Sequence, residues 1–230
     1  MSLSPTAYRC KQGSVGGSGG CGGDPRSQTT VDFSLTVNSN ARDERGFSLT
    51  AQKFNLAVTF FYSGLSNGTV TEYGRGRNAS VHCRITSSTS SSRVTLTLGD
   101  LRSYRYDKVG TSVGVTTYSA VSGNGATSTL SFDGTTFTQY ANNGLQLQYS
   151  DQVAGRNPVA HQLTKVADAD GVAQTYVYGS GVEAGLLKTL QVPGGNKFSF
   201  VYTGGSSISL VNSIQDWCGR FWSFRNKKRS

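Results

Sequence analysis

Leu163-Thr-Lys-Val-Ala-Asp-Ala-Asp-Gly-Val-Ala-Gln-Thr-Tyr-Val-Tyr178 is followed by Leu187-Lys-Thr-Leu-Gln-Val-Pro-Gly-Gly-Asn-Lys-Phe-Ser-Phe-Val-Tyr202 and then by Val211-Asn-Ser-Ile-Gln-Asp-Trp-Cys-Gly-Arg-Phe-Trp-Ser-Phe-Arg-Asn226. The three segments align without a gap at a period of 24 residues. Leu163, Leu187 and Val211 share a column, as do Val166, Leu190 and Ile214. Gly171, Gly195 and Gly219 coincide, then Tyr176, Phe200 and Phe224; Tyr178 and Tyr202 complete the unit and Asn226 breaks it. Each unit reads as a strand, a glycine-centred turn and a returning strand. Leu163 and Val166 anchor the first strand, the turn falls on residues 168–171, and Tyr176 and Tyr178, two apart, share a face of the second. A lone hairpin buries too little surface to stand in water, so such units must stack on neighbours. Upstream, Gly144, Leu147 and Tyr149 form a degenerate earlier unit, joined to Leu163 through a longer loop over residues 150–162.

Working back from the repeat, period-2 alternation continues. Val31, Phe33, Leu35 and Val37 alternate with polar residues, and residues 46–62 hold one or two strands carrying Phe54, Leu56, Val58 and Phe60. Val81, Cys83 and Ile85 share one face of the next strand, with His82 and Arg84 on the other, and Val94, Leu96 and Leu98 alternate cleanly. Strands follow at 101–106, 113–121, 128–132, 136–140 and 145–149. Asp133-Gly134 and Asn143-Gly144 mark hairpin tips, because these dipeptides tolerate positive φ. No amphipathic helix is readable; 182–190 comes nearest, and its glycine weakens it. The expected fold class is all-β, an irregular antiparallel region leading into stacked 24-residue hairpins that form a curved sheet. The expected divisions are a flexible Gly-rich segment at 1–29, the irregular β region at 30–141, the repeats at 142–226 and a basic tail at 227–230.

Composition agrees. Gly 29, Ser 31 and Thr 24 make up over a third of 230 residues, charged residues are only 15% and aromatics reach 10%. Low charge with many aromatics argues against wholesale disorder, and Thr, Tyr, Phe and Val with abundant turns argue against a helical bundle. The formal charge is +9, and residues 220–230 hold five bases and no acid. That tail reads as a solvated end, so nucleic acid is not an expected partner. Seven bases against Asp100 and Asp107 lie between Arg75 and Lys108, with no sidedness readable. No apolar run is long enough to span a membrane, and no secretory signal is readable at the N-terminus.

The chemical candidates are few. Cys10, Cys21, Cys83 and Cys218 lack zinc spacing, and His82 and His161 are far apart; free thiols are expected, with a Cys10–Cys21 loop disulfide as the alternative. The glycine run 11–24 lacks the Lys-Ser/Thr of a phosphate loop. His82 and Cys83, on opposite faces of one strand, do not make a nucleophile and base. Asp168 and Asp170 have calcium-loop spacing, but the ligand series stops at Val172, so they read as turn residues. Trp217, Trp222, Tyr104 and Tyr106 are the aromatics that could stack a sugar or a base, against the plainer reading that they pack between strands. Asn67-Gly-Thr and Asn78-Ala-Ser are glycosylation sequons, meaningful only in a eukaryotic secretory context. No catalytic residue, metal site or cofactor is expected.

The pattern Leu-x-x-Val-x-Asp-x-x-Gly-x-x-x-x-Tyr-x-Tyr, followed by Val-x-x-Ile-x-Asp-x-x-Gly-Arg-x-x-x-Phe, resembles the Rhs (YD-repeat) family. Asp216, Gly219 and Arg220 match its Asp, two residues, Gly-Arg turn. Two departures stand out: the naming Tyr-Asp is Tyr178-Gly179 and Tyr202-Thr203 here, and Val192 replaces the aspartate of Asp168 and Asp216. The resemblance implies YD-type repeats that coil into a hollow shell, which in bacteria often encloses a toxin and in animals serves adhesion. It implies a non-catalytic shell segment or cell-surface scaffold, extracellular or at the cell surface. Its partners would be further repeats or a self-associating sheet edge. With only three full repeats, the chain is expected to be a short or truncated member. The alternative is a carbohydrate- or surface-binding β-module, with Trp217 and Trp222 stacking a cell-surface glycan.

Overall fold

The computed structural model describes residues 33–38 (backbone only), 54, 56–63, 70–87, 92–123, 125–151, 153, 159–203 and 209–224. The Gly-rich segment, Cys10 and Cys21, the strand start at Val31, the Asn67 sequon and the basic tail lie outside these residues. The described chain is almost entirely antiparallel β, with a single 3-10 turn at Gly181–Glu183. A three-stranded sheet joins β1 (Phe33–Asn38), β2 (Ala57–Tyr62) and β5 (Arg77–Ala79), and β3 (Val70–Thr71) pairs with β4 (Gly74–Arg75).

The larger sheet contains a closed eight-stranded barrel. Its strands are β6 (Arg84–Ser87), β7 (Arg93–Thr97), β8 (Ser103–Ser112), β9 (Val115–Ala120), β10 (Thr129–Phe132), β11 (Thr136–Tyr140), β12 (Gln146–Asp151) and β13 (Val159–Ala167). Alternation dictates its lumen. Ile85 pairs with Leu96, Leu96 with Tyr104 and Val94 with Tyr106. Further round, Tyr118 pairs with Leu130, Phe132 with Phe137, Phe137 with Tyr149 and Tyr149 with Leu163. His161 opposite Ile85 closes the ring. These inward residues thus face one another across the ladders, and closure leaves no edge among these strands. Where the sequence led us to expect an irregular β region, the structure has most of a barrel. Most of these strands run four to six residues, and nothing local announces that the last strand returns to the first.

Across the lumen runs a chain of polar groups. Tyr149 Oη donates to Gln139 Oε1 (2.7 Å), Gln139 Nε2 donates to Ser128 Oγ (2.9 Å), and Ser128 Oγ meets Tyr106 Oη (2.7 Å). Both tyrosines are fully buried, so these bonds satisfy hydroxyls that would otherwise be orphaned.

After β13 the chain runs as a meander, β14 (Ala173–Tyr178), β15 (Leu187–Gln191), β16 (Lys197–Thr203), β17 (Leu210–Asp216) and β18 (Phe221–Ser223). The expected turn geometry recurs along it. The N–H of the first turn residue bonds the C=O of the fifth at Asp168–Val172 (3.0 Å), Val192–Asn196 (2.9 Å) and Asp216–Arg220 (2.9 Å). In each, the fourth-residue N–H bonds the first C=O, and that residue is a glycine near φ +80 to +90°: Gly171 (81°), Gly195 (90°) and Gly219 (83°). This is a type I turn closed by a left-handed residue, a conformation glycine adopts without steric cost. The side chains of Asp168 and Asp216 cap their turns alike. Oδ1 of Asp168 accepts from the N–H groups of Asp170 and Val172 (3.0 and 2.9 Å), and Oδ1 of Asp216 from those of Cys218 and Arg220 (3.0 and 2.9 Å). The Asp168–Asp170 spacing is therefore turn chemistry.

Candidate functional site at the fork of the sheet

β13 belongs to both halves of the molecule. One edge pairs with β12; the other pairs with β6 over Val159–Gln162 and with β14 over Lys165–Ala167. Between the two, the sheet forks at Leu163. The Leu163 N–H donates to the Cys83 C=O (3.0 Å), and the Leu163 C=O accepts the hydroxyl of Tyr178 (2.8 Å). Two groups that a forked ladder would strand are thereby satisfied.

The same tyrosine geometry returns one period later, where Tyr202 donates to the Leu187 C=O at 2.8 Å. In both places a β-bulge precedes the tyrosine, between Val177 and Tyr178 and between Val201 and Tyr202, and the tyrosine then faces the residue opening the next unit. A third bulge between Gln148 and Tyr149 sets Tyr149 opposite Leu163, although the Tyr149 hydroxyl turns to Gln139.

Into the fork project residues from the chain that precedes β6. Nδ1–H of His82 donates to Oε1 of Glu72 at 2.6 Å, and the two side chains retain only 7% and 14% exposure. Tyr73 sets its ring edge-on to His82 (5.8 Å) and to Phe60 (5.8 Å). Burial pushes the Glu72 carboxyl up, but the charge and hydrogen bond of His82, with Arg84 beyond, hold it below its ordinary value. Burial, reinforced by the Glu72 charge, raises the hydroxyls of Tyr73, Tyr178 and Tyr202. The cluster is one carboxylate ringed by phenols that stay protonated.

Cys83 is not a nucleophile in this setting. Its thiol donates to the Ser80 C=O (3.4 Å), and burial pushes it up to about 11. His82 gives its Nδ1 to Glu72, while the Cys83 thiol is turned to Ser80. The sequence places His82 and Cys83 on opposite faces of a strand; in the structure regular pairing begins only at Arg84, and the His82 N–H closes a turn onto the Ala79 C=O (2.8 Å). His82 is consequently buried among the elements it joins. Glu72, its partner, was invisible to sequence reasoning, being a single acid in a stretch with no periodicity.

Of the repeat-column residues, Leu163, Val166, Leu187, Leu190, Phe200, Val211, Ile214 and Asp216 are buried. Tyr176, Tyr178, Tyr202 and Phe224 pack partly buried against that core. Trp217 and Trp222 also lie half-buried against it, Trp222 edge-on to Phe198 at 5.7 Å. Arg220 turns back to the buried carboxylate of Asp216 (2.7 Å). Asn78 of the second sequon is 2% exposed within β5, out of reach of a glycosylating enzyme in the folded chain. Among the described residues no group of acids, cysteines or histidines could hold a metal ion, and no helix is long and apolar enough to cross a membrane. No family model matches the chain, and no curated protein matches it.

Proposed function

We propose that the chain is a non-catalytic structural module whose hairpin units extend a sheet from a barrel, serving as a scaffold or shell segment. The observation carrying this reading is the recurrence of one hydrogen bond at the sequence period, Tyr178 to Leu163 and Tyr202 to Leu187, both 2.8 Å. Each unit closes itself and offers its second strand to the next, the logic of an array whose stability grows by nearest-neighbour increments. The resemblance of these columns to YD repeats suggests a secreted or cell-surface setting, with further units or a sheet edge as partner. The half-buried packing of Trp217 and Trp222 favours this over glycan stacking.

The test is an in-frame duplication of residues 187–210. A modular array accepts the extra unit and shows a larger denaturant m-value, in proportion to the added buried surface. Collapse or aggregation of the duplicated protein counts against modularity. Saturable binding on a glycan array, lost in Trp217→Ala and Trp222→Ala, would overturn the purely structural reading.

A further inference from the structure

We propose that the Glu72–His82 pair is an acid-released latch, fastening the turn at residues 70–75 over the fork between barrel and meander. Three separate parts of the molecule meet at that turn. The Glu72 carboxylate binds His82, at the foot of β6 (2.6 Å). The Glu72 backbone C=O accepts the N–H of Val211, on β17 (2.8 Å). Tyr73 lays its ring against Phe60 of the small sheet, and Phe60 in turn contacts Phe224 at 4.9 Å. The buried Tyr73 ring ties the turn to the small sheet, while its ties to the foot of β6 and to β17 are the two polar contacts of Glu72.

The groups facing the carboxylate are His82 and Arg84 from the barrel side, Tyr73 within the turn, Tyr178 on β14 and Tyr202 on β16. None of them is an acid that would compete for the same proton. Once the carboxyl is protonated it no longer offers an anion to His82 or Arg84. No second hydrogen bond then holds the His82 ring, since its Nε2 is buried without a partner. Losing one side of a buried charge-assisted contact costs far more than the contact contributes on balance. The folded-state carboxyl sits below its unfolded value of 4.5, so the stabilisation is present above that pH and is lost as pH falls through the folded value. The fork itself is held by backbone hydrogen bonds and the Tyr178 hydroxyl, none of which uses a carboxylate. The barrel's own low-titrating carboxyls, Asp107 and Asp133, make only exposed contacts, one to Arg93 and one capping the β10–β11 turn.

Amide hydrogen exchange on the full chain, corrected for intrinsic rates, reads the latch directly. Between pH 6 and pH 3 the Val211 amide should gain at least about tenfold in exchange relative to the β10 and β11 amides, as a local opening does. Glu72→Gln should exchange fast at Val211 already at pH 6 and change little on acidification. Should that variant fail to fold, the wild-type comparison still decides. Equal acceleration of Val211 and the β10–β11 amides would mean global acid unfolding and overturn the latch, as would a Glu72→Gln protein with wild-type pH dependence.

Discussion

Tyr178 closes its own hairpin by donating its hydroxyl, at 2.8 Å, to the carbonyl of Leu163, the residue that opens the same unit. The bond spans the fork in the sheet, where the Leu163 carbonyl lies between the β6 and β14 ladders. Removing the hydroxyl leaves a buried acceptor without a partner, a loss of about 1–3 kcal/mol. Tyr178→Phe should lower unfolding free energy by that amount in urea titrations, with little change in m. Tyr202→Phe should cost a similar amount, because its bond to Leu187 has the same length. A neutral Tyr178→Phe would show that water reaches the Leu163 carbonyl.

The hairpin between β8 and β9 invites the opposite result. Ser112 pairs with Val115, leaving Val113 and Gly114 as a two-residue loop, both at positive φ (48° and 79°). Val113 is fully exposed (100%) and β-branched, so it takes the strained left-handed conformation with no packing in return. Val113→Asn supplies the Asn-Gly pair that such a turn favours and should raise stability by about 1 kcal/mol. The check is the shift in the midpoint of thermal or urea unfolding; destabilisation would contradict the turn assignment.

That same loop shows where sequence reading ran out. Val113 and Val115 keep the two-residue alternation, so alternation alone extends the strand across the turn, whereas β9 begins at Val115. Leu101 misleads in the same way. It reads as a strand start but is the left-handed fourth residue (φ 70°) of the turn between β7 and β8, the place glycine fills in the repeats. The 24-residue units were legible because glycine marks their turns and apolar columns mark their strands. Barrel closure was not, because His161 opposite Ile85 is a pairing across 76 residues with no local signature. The Glu72–His82 contact was equally silent, since it depends on how an aperiodic stretch lies across the fork.

A close backbone approach offers a sharper mutational contrast. A Cβ on Gly99 would meet the Ala79 carbonyl oxygen at 2.1 Å and the Ser80 Cα at 2.5 Å. These are backbone atoms, and Ala79 belongs to β5 of the small sheet, so relief requires moving that sheet off the barrel. Gly99→Ala should cost about 3 kcal/mol, at or beyond the upper end for overpacking. Gly110→Ala is the control, because nothing lies within 4 Å of its Cβ position. It should stay within about 0.5 kcal/mol of the wild type. Equal stabilities for the two variants would refute the close packing of residues 79–80 on the turn at Gly99.

The two cysteines described here should differ in chemistry as they do in place. Cys218 is exposed at the tip between β17 and β18, while Cys83 lies in the fork with its thiol pushed up to about 11. Thiolate is the reactive form, so at pH 8 only about one Cys83 in a thousand is ionised, and burial shields even that fraction. Iodoacetamide at pH 8 followed by peptide mass spectrometry should label Cys218 quickly in the native protein. Cys83 should be labelled only after denaturation. Raising the pH toward 11 increases its thiolate fraction, over a range higher than for an ordinary thiol because burial raises the folded value. The neutral thiol therefore stabilises the fold below that range, and stability should fall as pH rises through it. Native labelling of Cys83 at pH 8 at a rate comparable to Cys218 would mean that the fork opens readily. The protection of Val211 should then be low at neutral pH as well.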